Sequence, residues 1–245
     1  MNLQILLSGA SGAVGRTIGE VIASNSHFLL VGKASRQQFF EPDVEADVIV
    51  DFSHPALLAR VIQFAVRRRL PLVTGTTGLD PALERKLEEA AEHIPVCHAA
   101  NFSLGVNLLV RLAGQAASAL GEGFDIEILE AHHRRKLDAP SGTARWLGQE
   151  VSKARGLNFE SSGVNDRSNR RQARHQAEIG YQAIRGGDVA GEHTVFFLGD
   201  GERLELTHRS TDRQVFARGA LAAASRITGR RAGMVDFADL VLGMH

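Results

Sequence analysis

The sequence predicts an α/β fold in two parts, a parallel-sheet domain and a second α+β domain with a mixed or antiparallel sheet. Three observations carry this. Strand-like and helix-like patterns alternate through the first hundred residues, a glycine-rich turn follows the first strand, and the rhythm changes after residue 102. Such alternation implies parallel strands covered by helices on both faces.

Taken in order, "LQILLSG" is a short apolar run ending in glycine. "AVGRTIGEVIAS" then shows helical spacing through Val14, Ile18, Val21 and Ile22. "FLLVG" and "ADVIVDFS" read as the second and third strands, the latter closing on Asp51. Ser53 with Pro55 is expected to start the helix "ALLARVIQFAVRRR". "LPLVTG" repeats the scheme, with Asp80 as N-cap and Pro81 at the first helical position, and "IPVCHA" supplies another strand. Beyond residue 102, "LGVNLLVRLAGQAASAL" reads as one long helix, "FDIEILEAH" as a strand and "ARWLGQEVSKA" as a helix. A polar stretch from Asn158 to Gln176, carrying Arg170, Arg171 and Arg174, is expected to be a mobile surface loop. "EIGYQAIRGG", "HTVFFLG" and "RLELTHRS" are strand-like, "GDGER" is a hairpin loop, and "VFARGALAAASRI" is helical. No internal repeat or low-complexity tract interrupts the chain.

Composition narrows the class. The 245 residues are 44% hydrophobic and 23% charged, as in globular proteins, with 28 basic and 28 acidic side chains. A neutral chain gives no reason to expect nucleic acid or an anionic membrane as partner, so any positive potential is local. The lone Cys97 excludes an intramolecular disulfide, fits a reducing compartment, and ends an apolar run as a small buried hydrophobe. No basic leader precedes the early glycines, and no segment approaches the ~20 apolar residues that span a bilayer. The expectation is a cytoplasmic protein.

The first chemical signal is "GASGAVG", which sets Gly9, Gly12 and Gly15 between the first strand and the first helix. Glycine there allows a tight turn, backbone approach to a pyrophosphate, and close helix–strand packing. The helix start then offers N–H groups and positive dipole to the anion. An ordinary strand-to-helix turn is the plainer alternative, but position after the first strand favours a Rossmann-like cofactor domain. After the second strand, "VGKASR" lacks the acidic residue of a strict NAD site. Ser35 and Arg36, with Lys33 nearby, suit a 2′-phosphate instead, so NADPH is expected in preference to NADH, which remains possible. "TGTTG", with Gly75, Thr76 and Thr77, suits close approach by a ring or phosphate. "AANFS", with Ala99, Ala100, Asn101 and Phe102, suits a nicotinamide contact and a hinge.

The second signal is "EAHHRRKLDAPSGTA". His132 and His133 are adjacent on an extended chain and point to opposite sides, and no cysteine or spaced histidine joins them, so no metal is expected. A pocket for an anionic substrate explains more than a solvated loop does. Ser141, Gly142 and Thr143 open a helix, a natural carboxylate or phosphate cradle. Histidine and lysine nearby supply a group titrating near neutral pH and a fixed cation. Arg134 and Arg135 are expected to face solvent.

That segment resembles the signature of the dihydrodipicolinate reductase (4-hydroxy-tetrahydrodipicolinate reductase) family of the diaminopimelate–lysine pathway. "VIVDFSHP", "VTGTTG", "AANFSLGVN", "GEHTV" and "GERLELTH" extend the resemblance over nearly the whole chain. It implies a dinucleotide-binding domain from residues 1–102 and 214–245, and a substrate-binding and oligomerisation domain from 103–213. A homotetramer joined through the second domain's sheets is implied too. Gly9, Ala10, Ser11, Gly12, Ala13 and Val14 would cradle the pyrophosphate, with Gly75 to Thr77 and Ala99 to Phe102 on the nicotinamide side. His132 and Lys136 match the family's proton donors, while His133, Gly142 and Thr143 would hold the carboxylates of a small cyclic dicarboxylate. Ser35-Arg36 departs from the acidic residue common in the family at that place, which reinforces NADPH.

The implied reaction is hydride transfer from NAD(P)H to that dicarboxylate, with hinges near residues 101–103 and 211–214. Two other classes compete. One is another two-domain nicotinamide oxidoreductase acting on an anionic, amino-acid-like substrate. The other is a non-catalytic dinucleotide sensor, which the intact His132, Lys136 and Ser141-Gly142-Thr143 set argues against.

Overall fold

The computed structural model describes residues 2–168, 170–212 and 214–243. Arg213, inside the second expected hinge, lies outside them. Two compact units divide the chain, one of Met1–Leu104 with Arg213–His245, the other of Gly105–Asp212.

In the first unit the strands are β1 (Leu3–Ser8), β2 (Phe28–Ala34), β3 (Val48–Asp51), β4 (Leu72–Thr74) and β5 (Pro95–His98). Between them run α1 (Ala13–Ala23), α2 (Pro55–Arg68) and α3 (Pro81–Ala91). The chain returns to this unit with its last elements. The sheet order is β11-β5-β4-β3-β1-β2, every pair parallel, where β11 is Gly233–Met234. Strand order reverses between β1 and β3, so their carboxyl ends open the crevice where such sheets bind ligands. One face packs Ile5, Leu7, Val48 and Val50 against Ile18 and Ile22 of α1. Ala217 and Leu221 of the later helix Gln214–Ile227 cover the same face. The other face packs Leu6, Ile49 and Leu72 against Leu58 of α2 and Leu87 of α3. All four residues of β3 are buried, as a strand covered on both sides requires.

The helix starts divide. Asp80 caps α3 as expected, accepting from the Leu83 N–H. Ser53 does not cap α2: the N-cap is His54, with no side-chain cap bond, and Pro55 supplies the preset φ. The Ser53 hydroxyl donates to Asp51 instead, at 2.6 Å.

The second unit holds α4 from Leu104–Leu120, β6 (Asp125–His132), α5 (Gly142–Ala154), α6 (Phe159–Ser162), β7 (Gly163–Val164), β8 (Ile179–Arg185), β9 (Gly191–Leu198) and β10 (Arg203–Ser210). Its sheet, ordered β10-β9-β6-β8-β7, is mixed: β9 runs antiparallel to β6 and β10, whereas β8 is parallel to β6 and β7. Ile126, Ile128, Val195, Phe197, Ile179 and Tyr181 form one core with Val106, Val110 and Ala113 of α4 and Leu147 and Val151 of α5. α7 (Gln214–Ile227), β11 and α8 (Phe237–Leu242) complete the first unit.

The polar stretch is more than a surface loop. It contains α6 and β7, and its arginines reach acidic side chains both near and far in sequence. Arg174 donates to Asp125 at 2.6 Å and to Glu127 at 3.3 Å, and Arg170 to Glu178 at 3.0 Å. Arg167 lies across both Glu127 and Glu178.

Candidate active site

In the first unit the turn after β1 is built from backbone. Gly9 has φ +77°, and a Cβ there would lie 2.2 Å from the Phe52 carbonyl oxygen; one on Gly15 would lie 2.1 Å from that of Gly9. Neither approach tolerates a side chain. The Gly9 N–H donates to Ala34 at 3.0 Å, which holds the turn against the end of β2. Gly12 is the N-cap of α1 and makes no side-chain cap bond. Ala13 and Val14 then open the helix, where N–H groups have no intrahelical acceptor. Beside this turn lies a cavity of about 420 Å³, lined by Gly9, Ser11 and Gly12 on one side, Ser35, Arg36 and Gln37 on another, and Phe52, Ser53, His54 and Leu57 beyond. The cradle that a Cβ would fill and the cationic wall together fit a dinucleotide phosphate.

Below the crevice sits a residue that sequence reasoning noted only as a strand end. Asp51 is fully buried, and its carboxylate accepts hydroxyls from Ser53 at 2.6 Å, Thr74 at 2.8 Å and Thr76 at 2.6 Å. Thr76 therefore turns its hydroxyl inward, while Thr77 is exposed. Gly75 is pressed against the Phe52 ring, where a Cβ would lie 2.3 Å from Cε1. In the other loop the Ala99 N–H donates to Thr74, Ala100 is exposed, and the Asn101 Oδ1 accepts the Ser103 N–H at 2.8 Å. The Phe102 ring is 1% exposed and stacks edgewise between Phe52 and Phe237. It is core, so Phe102 can face a ligand only through its backbone. Cys97 is a buried hydrophobe; burial first, then Asp236, pushes its thiol up to about 12.

The second unit builds its site from side chains. On β6, Ile126, Ile128, Glu130 and His132 share one face by the two-residue period of a strand. Glu130 is buried, and four donors reach its carboxylate. Arg185 of β8 donates to both oxygens at 2.7 Å, the Ser141 N–H to Oε1 at 3.0 Å, and His132 Nδ1 lies 2.6 Å from Oε2. Burial alone would raise this carboxyl; the bonds from Arg185 and His132, with their charges, hold it below the ordinary carboxylate range.

His193 of β9 stands edge-on to His132, ring centroids 5.1 Å apart, and its Nε2 lies 3.0 Å from the Ser141 hydroxyl. Burial first, then the neighbouring His132 charge, pushes His193 down to about 3, so it stays neutral.

Past β6, the His133 N–H donates to Val189 and the Lys136 N–H to His133. Lys136 pairs with Asp138 at 2.9 Å, and that bond is the main cause of the lowered Asp138 carboxyl. Arg134 and Arg135 are exposed. Ser141 is 2% exposed and caps α5 by accepting the Ala144 N–H at 3.2 Å. With its hydroxyl and N–H both engaged inside, the exposed Gly142 and half-buried Thr143 are the accessible part of the expected cradle.

His132 and the start of α5 are thus tied together at the carboxyl end of β6, with Lys136 in the turn between them, on a frame of Glu130, Arg185 and His193 that sequence reasoning missed. A signal existed for two of the three: Glu130 falls in the buried phase of Ile126 and Ile128, and His193 in that of Val195 and Phe197. Among the described residues no group of three or more His, Cys, Asp or Glu side chains is arranged to hold a metal, and no helix is long and apolar enough to cross a membrane.

Residues 3–102 match the family model described as dihydrodipicolinate reductase, N-terminus, and residues 105–241 the one described as dihydrodipicolinate reductase, C-terminus. The chain is 39% identical to the 4-hydroxy-tetrahydrodipicolinate reductase of Thiobacillus denitrificans, with 100% of both chains covered. It is 43% identical to that of Akkermansia muciniphila, covering 99% of this chain and 98% of the relative. Among solved structures, the dipicolinate-bound dihydrodipicolinate reductase from Paenisporosarcina sp. TG-14 has the same fold, with a TM-score of 0.79 at 22% identity over 96% of this chain and 98% of that one. An engineered D-amino acid dehydrogenase bound to NADP+ shares the fold more loosely, with a TM-score of 0.56 at 14% identity over 99% and 95%. Matches to both halves and along the full length favour the reductase over the amino-acid dehydrogenase and sensor readings: the chain belongs to the dihydrodipicolinate reductase family of NAD(P)H-dependent oxidoreductases.

Proposed function

We propose that the chain reduces a small cyclic dicarboxylate, 4-hydroxy-tetrahydrodipicolinate, in the cytoplasm, as a step of diaminopimelate and lysine synthesis. NADPH is the preferred donor and NADH a possible one. The observation that carries the reading is that Glu130 ties His132 to the start of α5, with Lys136 in the turn between them. Bound reduced nicotinamide supplies the hydride. The protein's part is to hold the carboxylates with His133, Gly142 and Thr143, and to deliver a proton from His132 Nε2 or Lys136 Nζ to the anion that hydride addition leaves.

In the first unit, Gly9 to Val14 hold the pyrophosphate, and Gly75 to Thr77 with Ala99 to Phe102 line the nicotinamide side. Ser35 and Arg36 hold a 2′-phosphate; their place on the wall of the glycine-turn cavity supports that reading. The assembly is a homotetramer joined through the second unit's sheet. Its support is the face opposite the helices, where Phe196, Leu198 and Ile184 are left half-buried or exposed. No nucleic acid or membrane takes part.

Steady-state kinetics with the product of dihydrodipicolinate synthase tests the reading. His132→Gln should lower kcat by about 10²–10⁴-fold; a normal rate removes it as proton donor, and Lys136→Ala is judged in the same way. Arg36→Ala should raise KM for NADPH about tenfold or more and leave that for NADH unchanged, the value of one charge-assisted bond. Equal losses with both cofactors would refute the 2′-phosphate role.

A further inference from the structure

We propose that Glu130 is a positioning residue for the proton transfer: it holds the His132 ring by Nδ1, so that Nε2 is the nitrogen that serves the substrate, and it ties that ring to the start of α5. The proposal rests on the reading of His132 as a proton donor.

The geometry is over-determined. Each Glu130 oxygen accepts two donors, Oε1 from Arg185 and the Ser141 N–H, Oε2 from Arg185 and His132. A carboxylate receiving four donors is an acceptor only, so its 2.6 Å contact with His132 is an Nδ1–H donated to Oε2. Arg185 also donates to the Asp138 carbonyl at 2.6 Å, so one guanidinium fixes both the carboxylate and the turn that follows Lys136.

Space on the other side of the ring fits the assignment. Gly191 lies beside Nε2, where a Cβ would come within 3.1 Å of it, so the glycine leaves that nitrogen uncrowded. The groups facing the ring are Glu130 on its own strand, Arg185 from β8 and His193 from β9, with His208 of β10 in register behind His193. Lys136 and Asp138 belong to the following turn. Burial pushes His193 down to about 3, so it stays neutral, and pushes His208 down as well. When Nε2 gives its proton to the substrate anion, the imidazolium becomes neutral imidazole and keeps Nδ1–H on Glu130; solvent then restores the Nε2 proton.

Glu130→Gln is nearly isosteric, but its amide NH2 must face Arg185 together with either His132 or Ser141. The expected result is a kcat lowered about 10–100-fold, as for other partners that orient a histidine. NADPH affinity, read by fluorescence titration, should stay within about twofold, because that site is proposed for the other unit. An unchanged kcat overturns the proposal.

Nitrogen-15 spectra of the unaltered protein give a reading that does not depend on the variant folding. Nδ1 of His132 should stay protonated through the titration while Nε2 alone releases its proton; the reverse tautomer refutes the assignment. His132→Gln separates this from the underlying reading. If that variant turns over normally, His132 is no proton donor. If it is slow and Glu130→Gln added to it slows it no further, the two residues act as one unit; an additive loss counts against the proposal.

Discussion

Two helices of this chain begin at an expected anion site, and they are made in opposite ways. α1 starts at Gly12 with no side-chain cap, in a turn where Gly9 and Gly15 pack backbone on backbone. α5 starts at Ser141, whose hydroxyl caps the helix and meets His193, and whose N–H reaches Glu130. The first contains no ionisable side chain from Gly9 to Gly15, whereas the second stands on a buried carboxylate, a guanidinium and a neutral imidazole. A site made of backbone is intolerant of a single added carbon. One made of side chains is intolerant of a changed charge.

The largest effect should come from Gly9→Ala. The new Cβ would sit 2.2 Å from the Phe52 carbonyl oxygen, at a φ of +77° that alanine avoids. Overpacking and the left-handed backbone together should cost about 2–4 kcal/mol, read as a lower urea midpoint. NADPH binding should fall with it. An unchanged midpoint would mean that the turn yields, and the contrast with α5 would lose its basis.

Acid should find the second unit first. His193 lies at about 3 in the folded chain and near 6.5 when unfolded, so the unfolded chain binds more protons between those values. The stability tied to neutral His193 is fully present above about 6.5 and is lost as pH falls, by about 1.4 kcal/mol per unit, or about 2 kcal/mol from pH 7 to pH 5. Glu130, lowered by its partners, adds a loss only below the unfolded carboxylate value near 4.5. Hydrogen exchange should show amides of β6 and β9 losing protection over the first interval while those of β1 and β3 keep theirs. In His193→Asn the loss between pH 7 and pH 5 should flatten; a slope equal to that of the unaltered chain would place its origin elsewhere.

The same contrast explains what could be read in advance. Strands and helices of the first unit follow from local periodicity and from turn residues such as Asp80-Pro81, and the glycine turn is a local string. The segment of the proposed proton donors was legible as a motif, but its frame was not. Arg185 reaches Glu130 across 55 residues, and Arg174 reaches Asp125 across 49, so the polar stretch looked unattached. Glu130 and His193 carried a fainter sign, a polar residue in the phase of buried neighbours. Ser53 misled because a good capping residue was drawn to the buried Asp51. β11 is two residues long and owes its existence to the open edge of β5, which no local pattern announces.

The smallest effect, Gly142→Ala, tests the contrast most cleanly. It is again glycine to alanine at the start of a helix, yet a Cβ on Gly142 would meet nothing within 4 Å. Alanine loses less chain entropy on folding and favours helix, so the variant should gain about 0.4–1 kcal/mol in urea rather than lose any. Its methyl would still stand beside the N–H proposed to face a substrate carboxylate. KM for the dicarboxylate should therefore rise, by up to about tenfold, equivalent to ~1.4 kcal/mol, with NADPH affinity unmoved. A stabler protein with a weaker substrate site would show that Gly142 is kept for approach, as Gly9 is kept for packing. If KM stays put, the carboxylate does not come to this backbone, and the cradle falls to His133 and Thr143.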